Sequence, residues 1–443
     1  MTVWQKTGKT NGDETNAPVP VCCPFVYMPK NMGAVFVEVE YNDHRRIVLM
    51  KKIKVLKAII SAAVLMTILA CSFIFTGCNL KVFNAAYHGD GDGEYKPLSL
   101  IMNAGEKLTI DRSHFNNLGN WNMANYDGFE LEVLEESHEG VVTIKKDVIT
   151  AGNSGSATIM ARLYAKGRDA NGKKVLYTFG PSIAEIYVIN EATMTEIRTA
   201  QQLADIKNDL GGNYILKSDI DLADWGEWSP IGTWQNRFKG MFVNLGGYKI
   251  KNLTISTGKT EEEKTVLAGL FGAALEAFFS GIILENINID CSDYEKPDYQ
   301  RYDIYAPYVG GLAAFTKRGI IMNCSVSGNL TGKLIVGGIV GLNNHSTKII
   351  ACNFKGTIEA AWDSENTASG IGGIVGMDMV GIVKDCNVLA TINGNDTVNA
   401  GGIVGCIATY TPITEIINCV FEGEITGLNS GTIVGQGGKG IYN

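Results

Sequence analysis

The phrase GGIVG occurs three times, at Gly337–Gly341, Gly372–Gly376 and Gly401–Gly405, and no other feature constrains the fold as strongly. A phosphate-binding loop needs its glycines once, where a strand runs into a helix. A fold that repeats one backbone geometry needs them once per repeat. Looser copies extend the series: GLFG (Gly269–Gly272), GGLAA (Gly310–Ala314) and GTIVG (Gly431–Gly435). A second phrase alternates with the first: IKNLTI (Ile250–Ile255), LENINI (Leu284–Ile289), IMNCSV (Ile321–Val326), IIACNF (Ile349–Phe354), VKDCNV (Val383–Val388) and IINCVF (Ile416–Phe421). Its copies start 34, 37, 28, 34 and 33 residues apart. One repeat cannot bury its own apolar residues, but stacked neighbours can, at about 4.8 Å between strands. Each repeat reads as two or three short strands, with glycine where the chain turns a corner, takes a positive φ or is crowded by another backbone. With 52 glycines and 10 prolines in 443 residues, the chain suits tight turns better than long helices.

These interleaved phrases resemble the GLUG repeats of bacterial surface proteins. The stretch EIRTAQQLADIKNDLGGNYILKSDIDL, followed by WSPIG, FKGMF and NLGGYKIKNLTI, is similar to the usual start of a β-helix in that family. The resemblance runs from Glu196 to Asn443 and implies a right-handed parallel β-helix on a bacterial exterior. Thr199 and Gln202 form a capping-box pattern, and Leu203, Ile206 and Leu210 share one apolar face, so a helix ending at Gly211-Gly212 is expected to cap the solenoid.

Upstream, residues 96–190 alternate apolar and polar with period two in KLTI, FELEVL, VVTI, ATIMARLYA and AEIYVI, separated by Gly, Asn and Asp clusters. That pattern predicts a small β-sandwich. GVVTIKKDVITAGNSGSATIMA (Gly140–Ala161) resembles bacterial immunoglobulin-like domains of the group 2 type, which implies a spacer or adhesive module. The fold class expected is therefore all-β: an Ig-like β-sandwich, then a parallel β-helix with an N-terminal capping helix.

The beginning of the chain reads as an address. Lys51, Lys52, Lys54 and Lys57 precede an apolar run from Ala58 to Phe75, as in a secretory signal at residues 50–77. The run ends in Phe75-Thr76-Gly77-Cys78, which resembles the lipobox of bacterial lipoproteins; the resemblance implies diacylation of Cys78 and anchoring on the outer side of a membrane. An uncleaved helix spanning the membrane is the plainer reading. Residues 1–49 read as an extension ahead of the true start at Met50, or as a disordered tail, and residues 78–95 as a linker.

The charge sets limits on partners. Residues 1–77 hold 9 basic and 5 acidic side chains, leaving 29 basic and 41 acidic beyond them without a basic stripe. Nucleic acid is not an expected partner, and neither P-loop nor dinucleotide-binding glycine patterns occur. Cys324, Cys352, Cys386 and Cys419 share one repeat position with Leu253 and Ile287, so they are expected to stack inward as thiols. No metal-ligand spacing, metalloprotease motif or serine-hydrolase elbow appears, so neither a metal nor another cofactor is expected. Asp219 and Asp221 read as residues that bond to turn backbones; the alternative is the start of a calcium site with Asp224.

Exposed aromatic side chains are the candidate ligand contacts, because rings stack on sugar faces and anchor protein partners. Five tyrosines crowd one insertion: Tyr294, Tyr299, Tyr302, Tyr305 and Tyr308. Trp225 and Trp234 flank WSPIG; Trp228, inside it, reads as core. The function expected is non-catalytic adhesion to a glycan or protein. A polysaccharide-cleaving enzyme is the alternative and a purely structural envelope component the third reading.

Overall fold

The computed structural model describes residues 98–115, 121, 123–177, 180–256, 267–293, 308–361, 370–396, 398–408, 414–437 and 440–442. The signal segment, Cys78 and the residue 78–95 linker lie outside them. From Thr195 onward the chain winds into stacked coils with four strands per complete coil, not the two or three expected. One coil runs Ile320–Met322, Ser325–Gly332, Ile335–Gly337 and Val340–Asn343, and the next begins at Thr347–Ile350. The four positions build four sheets, numbered here one to four in coil order. Every pairing within them is parallel among the described residues. The architecture is thus mostly β and like a parallel β-helix.

Sheet two carries the longest strands and shows simple alternation: in Asn387–Asn393 every second residue is buried. Val326, Phe354, Val388 and Phe421 align in register and point inward. Sheets three and four read as continuous apolar runs because their strands are covered on both sides. Val340–Asn343 and Val375–Asp378 are buried throughout. Their inner residues, Val340 and Val375, join the main core. Their outer ones, Leu342 and Met377, join a second cluster with Tyr308, Phe315, Ile335 and Cys406.

The GGIVG phrase is the corner between sheets three and four. Gly337 ends one strand, Gly338 and Ile339 bend, and Val340 opens the next. The glycines of this corner do not have positive φ; crowding explains them. A Cβ on Gly338 would sit 2.1 Å from the Gly373 carbonyl oxygen of the next coil and 2.4 Å from Phe354 Cγ. One coil on, a Cβ on Gly373 would sit 2.2 Å from Gly402 O and 2.5 Å from Val388 Cγ1. No side chain fits there without moving backbone.

The corner between sheets one and two is built differently. Asn323, Ala351, Asp385 and Asn418 take left-handed φ of 53, 53, 55 and 52° there, and Gly281 holds the same place one coil before Asn323 with φ 72°. The four are the residues just before the inward cysteines of the second repeated phrase. The expected shared position is corrected: Ile282, not Leu253 or Ile287, aligns with the cysteine column, and Asn252 and Asn286 sit further along sheet two, Asn286 at an irregularity in its register. Asparagine and aspartate adopt this conformation at lower cost than other non-glycine residues. Side chains also link coils: at the corner Asn418 donates to Asp385 at 3.1 Å, and within sheet two Asn252 donates to Asp221 at 2.7 Å and Asn286 to Asn252 at 2.6 Å.

The helix is shorter than expected. It spans Ala200–Asp205, with Thr199 accepting from Gln202 N at 3.2 Å, and passes into a 3-10 turn at Ile206–Asn208. Leu203 and Ile206 enter the solenoid core, as the apolar face predicts, and Leu210 packs at its edge.

Residues 98–189 form two sheets around one core that includes Met102, Phe115, Ile149, Ile159 and Ile186. The four-stranded sheet runs in the order Leu98–Asn103, Ser182–Ile189, Gly155–Ala165, Tyr126–Glu136, and only its first pair is parallel. The smaller antiparallel sheet holds Lys107–Thr109, Val148–Ala151 and Val142–Lys145. This unit lies against the outer face of sheet one, where the sequence suggested a spacer beneath the solenoid. Tyr187 stacks on Phe278 at 5.1 Å, within an apolar cluster with Met194, Met241, Val243 and Ile320. Around that contact Lys348 reaches Ser99 and, at 3.9 Å, Glu185, and Asn213 Nδ2 donates to Ser154 O at 2.8 Å.

Candidate functional site

The loop after Trp228 is pinned to the coil that follows it. Ile231 N donates to Leu270 O at 3.1 Å and Phe238 N to Ala273 O at 2.9 Å, and both side chains are buried. Between these anchors Thr233 and Asn236 close a tight turn: Thr233 N donates to Asn236 O at 2.7 Å, and Asn236 N to Thr233 Oγ1 at 3.1 Å. The turn holds Trp234 and Arg237 on the outside of the solenoid, both half-buried.

Trp234 meets Phe315 edge to face at 4.7 Å and lies 6.3 Å from the Tyr308 ring. The Arg237 guanidinium carbon stands 5.2 Å from the centroids of both the Trp234 and Phe315 rings, and Arg237 Nε donates to Trp234 O at 3.2 Å. Lys317 follows on the same strand as Phe315. Burial lowers Arg237 from its ordinary value. Lys317 is also lowered, by burial first and then by the charges of Arg318 and Arg237. The nearby Glu276 is ion-paired with Arg318.

The structure thus brings together two sequence candidates, Trp234 and the end of the tyrosine-rich insertion. Tyr308 is itself corrected: at 2% exposure it is a packing residue of the outer cluster, not an exposed ring. It opens a sheet-three strand whose next coil places Ile335 beside it. Tyr294, Tyr299, Tyr302 and Tyr305 lie outside the described residues. Trp225 is half-buried and lies 6.1 Å from Trp228. Trp228 is core as expected, 3% exposed, with Nε1 donating to Leu270 O at 3.0 Å. Sequence reading missed Arg237 and Lys317, which carry no motif and acquire meaning only through coil stacking.

Other chemistry-bearing groups serve the scaffold. Asp221 Oδ1 accepts from Ala223 N at 2.9 Å and holds a turn, whereas Asp219 Oδ1 accepts from Lys249 N at 2.9 Å and so ties one coil to the strand of the next. Cys324, Cys352, Cys386 and Cys419 are inward thiols in one column. Burial raises Cys352 well above its ordinary value, and contact with the Cys352 thiol is the first cause that pushes Cys386 up to about 12. Raised thiols are poor nucleophiles and ligands. Among the described residues no group of three or more His, Cys, Asp or Glu could hold a metal ion.

One buried carboxylate stands apart. Asp378 accepts from Asn343 Nδ2 and from Thr414 Oγ1, each at 2.5 Å, inside the corner between sheets four and one. Burial pushes it up to about 6 against the pull of those two hydrogen bonds.

No protein-family model matches the chain, and no curated protein does. Among solved structures it is similar to a Bacteroides ovatus protein described as "a putative immunoglobulin A1 protease", at 18% identity and a TM-score of 0.28, over 57% of this chain and 85% of that one. A likeness of that size carries no argument about activity.

Proposed function

We propose that this chain is an exported bacterial envelope protein, lipid-anchored through Cys78, that binds a glycan or protein ligand on the outside of a GLUG-type right-handed β-helix without catalysis. Residues 98–189 act in this reading as a bacterial Ig-like module, and the helix Ala200–Asp205 as the cap of the first coil. The observation that carries the proposal is the Trp234 turn: a half-exposed indole held on a rigid loop, next to the strand that begins where the tyrosine-rich insertion ends. Rigid aromatic side chains lose little entropy on binding, which suits them to recognition. Asp219 and Asp221 support a binder over a polysaccharide-cleaving enzyme, because backbone groups already occupy them.

The test is a glycan array and a pull-down from surface extracts with the full chain. It runs beside Trp234→Ala and beside a variant with residues 294–306 replaced by a Gly-Ser linker, which spares buried Cys291 and Tyr308. Binding lost in either variant supports the proposal. Release of reducing sugar from a polysaccharide panel would replace it with the enzyme reading, and retention by neither array nor extract would leave a structural role.

A further inference from the structure

Beside Trp234 stand two cations, Arg237 and Lys317, that make no ion pair among the described residues. Arg237 spends its Nε on Trp234 O, and among the described residues no carboxylate pairs with its guanidinium. Lys317 has no ion pair there either, since Arg318 takes Glu276. Half-buried charges left in this state are costly, and a protein that keeps two of them side by side gains most from an anion that satisfies both. Coil register explains how the arginine reaches its place. Phe238 bridges Ala274, and Ala273 aligns with Phe315, so Arg237 lies one coil before Ala273 and two before Phe315. The small Ala273 side chain leaves the space through which the guanidinium reaches the Phe315 ring at 5.2 Å. The guanidinium is thereby held beside two rings, and its Nε bond to Trp234 O leaves its Nη groups for the hydrogen bonds that a carboxylate accepts.

Building on the glycan-binding reading above, the geometry points to an acidic saccharide as the ligand class: a uronic acid within a polysaccharide, its carboxylate on Arg237 and Lys317 and its ring face on Trp234. A neutral sugar would use the indole but leave both cations unpaired. A protein ligand with an acidic side chain is the competing occupant and is excluded or admitted by the same experiment.

The experiment measures binding of the full chain, in mild detergent, to oligosaccharides of galacturonate, glucuronate and mannuronate, to their methyl esters, and to an acidic peptide. The esters keep each sugar and remove its charge. We expect a uronate to bind and its ester to bind about tenfold more weakly or worse. Arg237→Met keeps the packed stem and loses the fork, and Lys317→Gln loses the charge. Each should weaken uronate binding about tenfold and leave ester binding unchanged, with thermal unfolding showing both variants folded. Equal affinity for uronate and ester, or Arg237→Met binding as well as the parent, overturns this inference and leaves a neutral-sugar site. Binding of the acidic peptide alone also overturns it. Failure of every uronate oligosaccharide, or uronate binding indifferent to Trp234→Ala, overturns this inference alone; no retention on the glycan array or from surface extracts removes the binding reading as well.

Discussion

Two corners of the same coil solve the same problem with opposite residues. Between sheets three and four the chain turns on Gly338 and Gly373 because the next coil's backbone and an inward side chain fill the space where a Cβ would stand. Between sheets one and two it turns on Asn323, Asp385 and Asn418 because the backbone needs a left-handed residue, and the exposed Asn418 side chain bonds to Asp385 of the coil next to it. The first corner is a constraint of volume and the second of dihedral angle. A recurring glycine therefore does not by itself report a positive φ, and a recurring asparagine can.

Substitutions at four positions test the corners of the coil. Gly373→Ala should be the most damaging, at about 3 kcal/mol or more, because backbone oxygen cannot yield as a side chain would; urea denaturation measures it. A cost near that of an ordinary strand substitution would mean the corner has slack, and crowding would be the wrong account.

The corner between sheets four and one adds a buried charge to the comparison. Asp378 is raised from the ordinary value of 3.8 to about 6 in the folded protein. Its contribution to stability is complete below 3.8, falls as pH rises, and is lost above about 6, because the unfolded chain gives up this proton more readily. The change amounts to up to about 3 kcal/mol. Asp378→Asn should flatten that part of the stability profile while keeping an acceptor for Asn343. An unchanged slope between pH 4 and 6 would show that the carboxylate is not the group responsible.

At the asparagine corner, Asn418→Ala should cost about 1–2 kcal/mol through the left-handed penalty and the lost bond to Asp385, and Asn418→Gly clearly less. The smallest effect has the opposite sign. Ala351 occupies the same position with φ 53° and no side chain to share, so Ala351→Asn should raise stability by about 0.5–1 kcal/mol, read as a higher melting temperature. If glycine at 351 stabilised and asparagine did not, the inter-coil bonds would contribute little and only the dihedral angle would matter.

Much of the scaffold was legible because the repeat is in the residues themselves. The alternation of GGIVG with the Asn-Cys phrase announces stacked coils, and the recurring Cys announces an inward column; Leu253 and Ile287 were wrongly placed in it, because an irregularity in sheet two shifts the register and Ile282 aligns with Cys324. The strand count was not legible. Ile335–Gly337 and Val340–Asn343 are the two halves of one glycine phrase, and residues that are buried on both faces lose the alternation that marks a strand. Strand Leu98–Asn103 went unread because its partner, Ser182–Ile189, is remote in sequence and runs parallel to it. At the candidate site Trp234 was visible as an aromatic residue beside a turn. Arg237, Lys317 and the burial of Tyr308 were not, since each depends on which residues the coil register stacks together.

The contact between the two-sheet unit and sheet one bears on how such a molecule assembles. A strand in a coil finds its hydrogen-bond partners only on the coil beside it, so growth needs a surface that already exists. Strand Thr195–Ile197 and the helix at Leu203 sit next to the face that Tyr187 and Met194 cover. The unit made first in the chain thus offers a finished template to the coil made next, and each coil in turn becomes the template for its successor. Folding can then proceed in the order of synthesis, adding one layer at a time, with little need to search for distant partners.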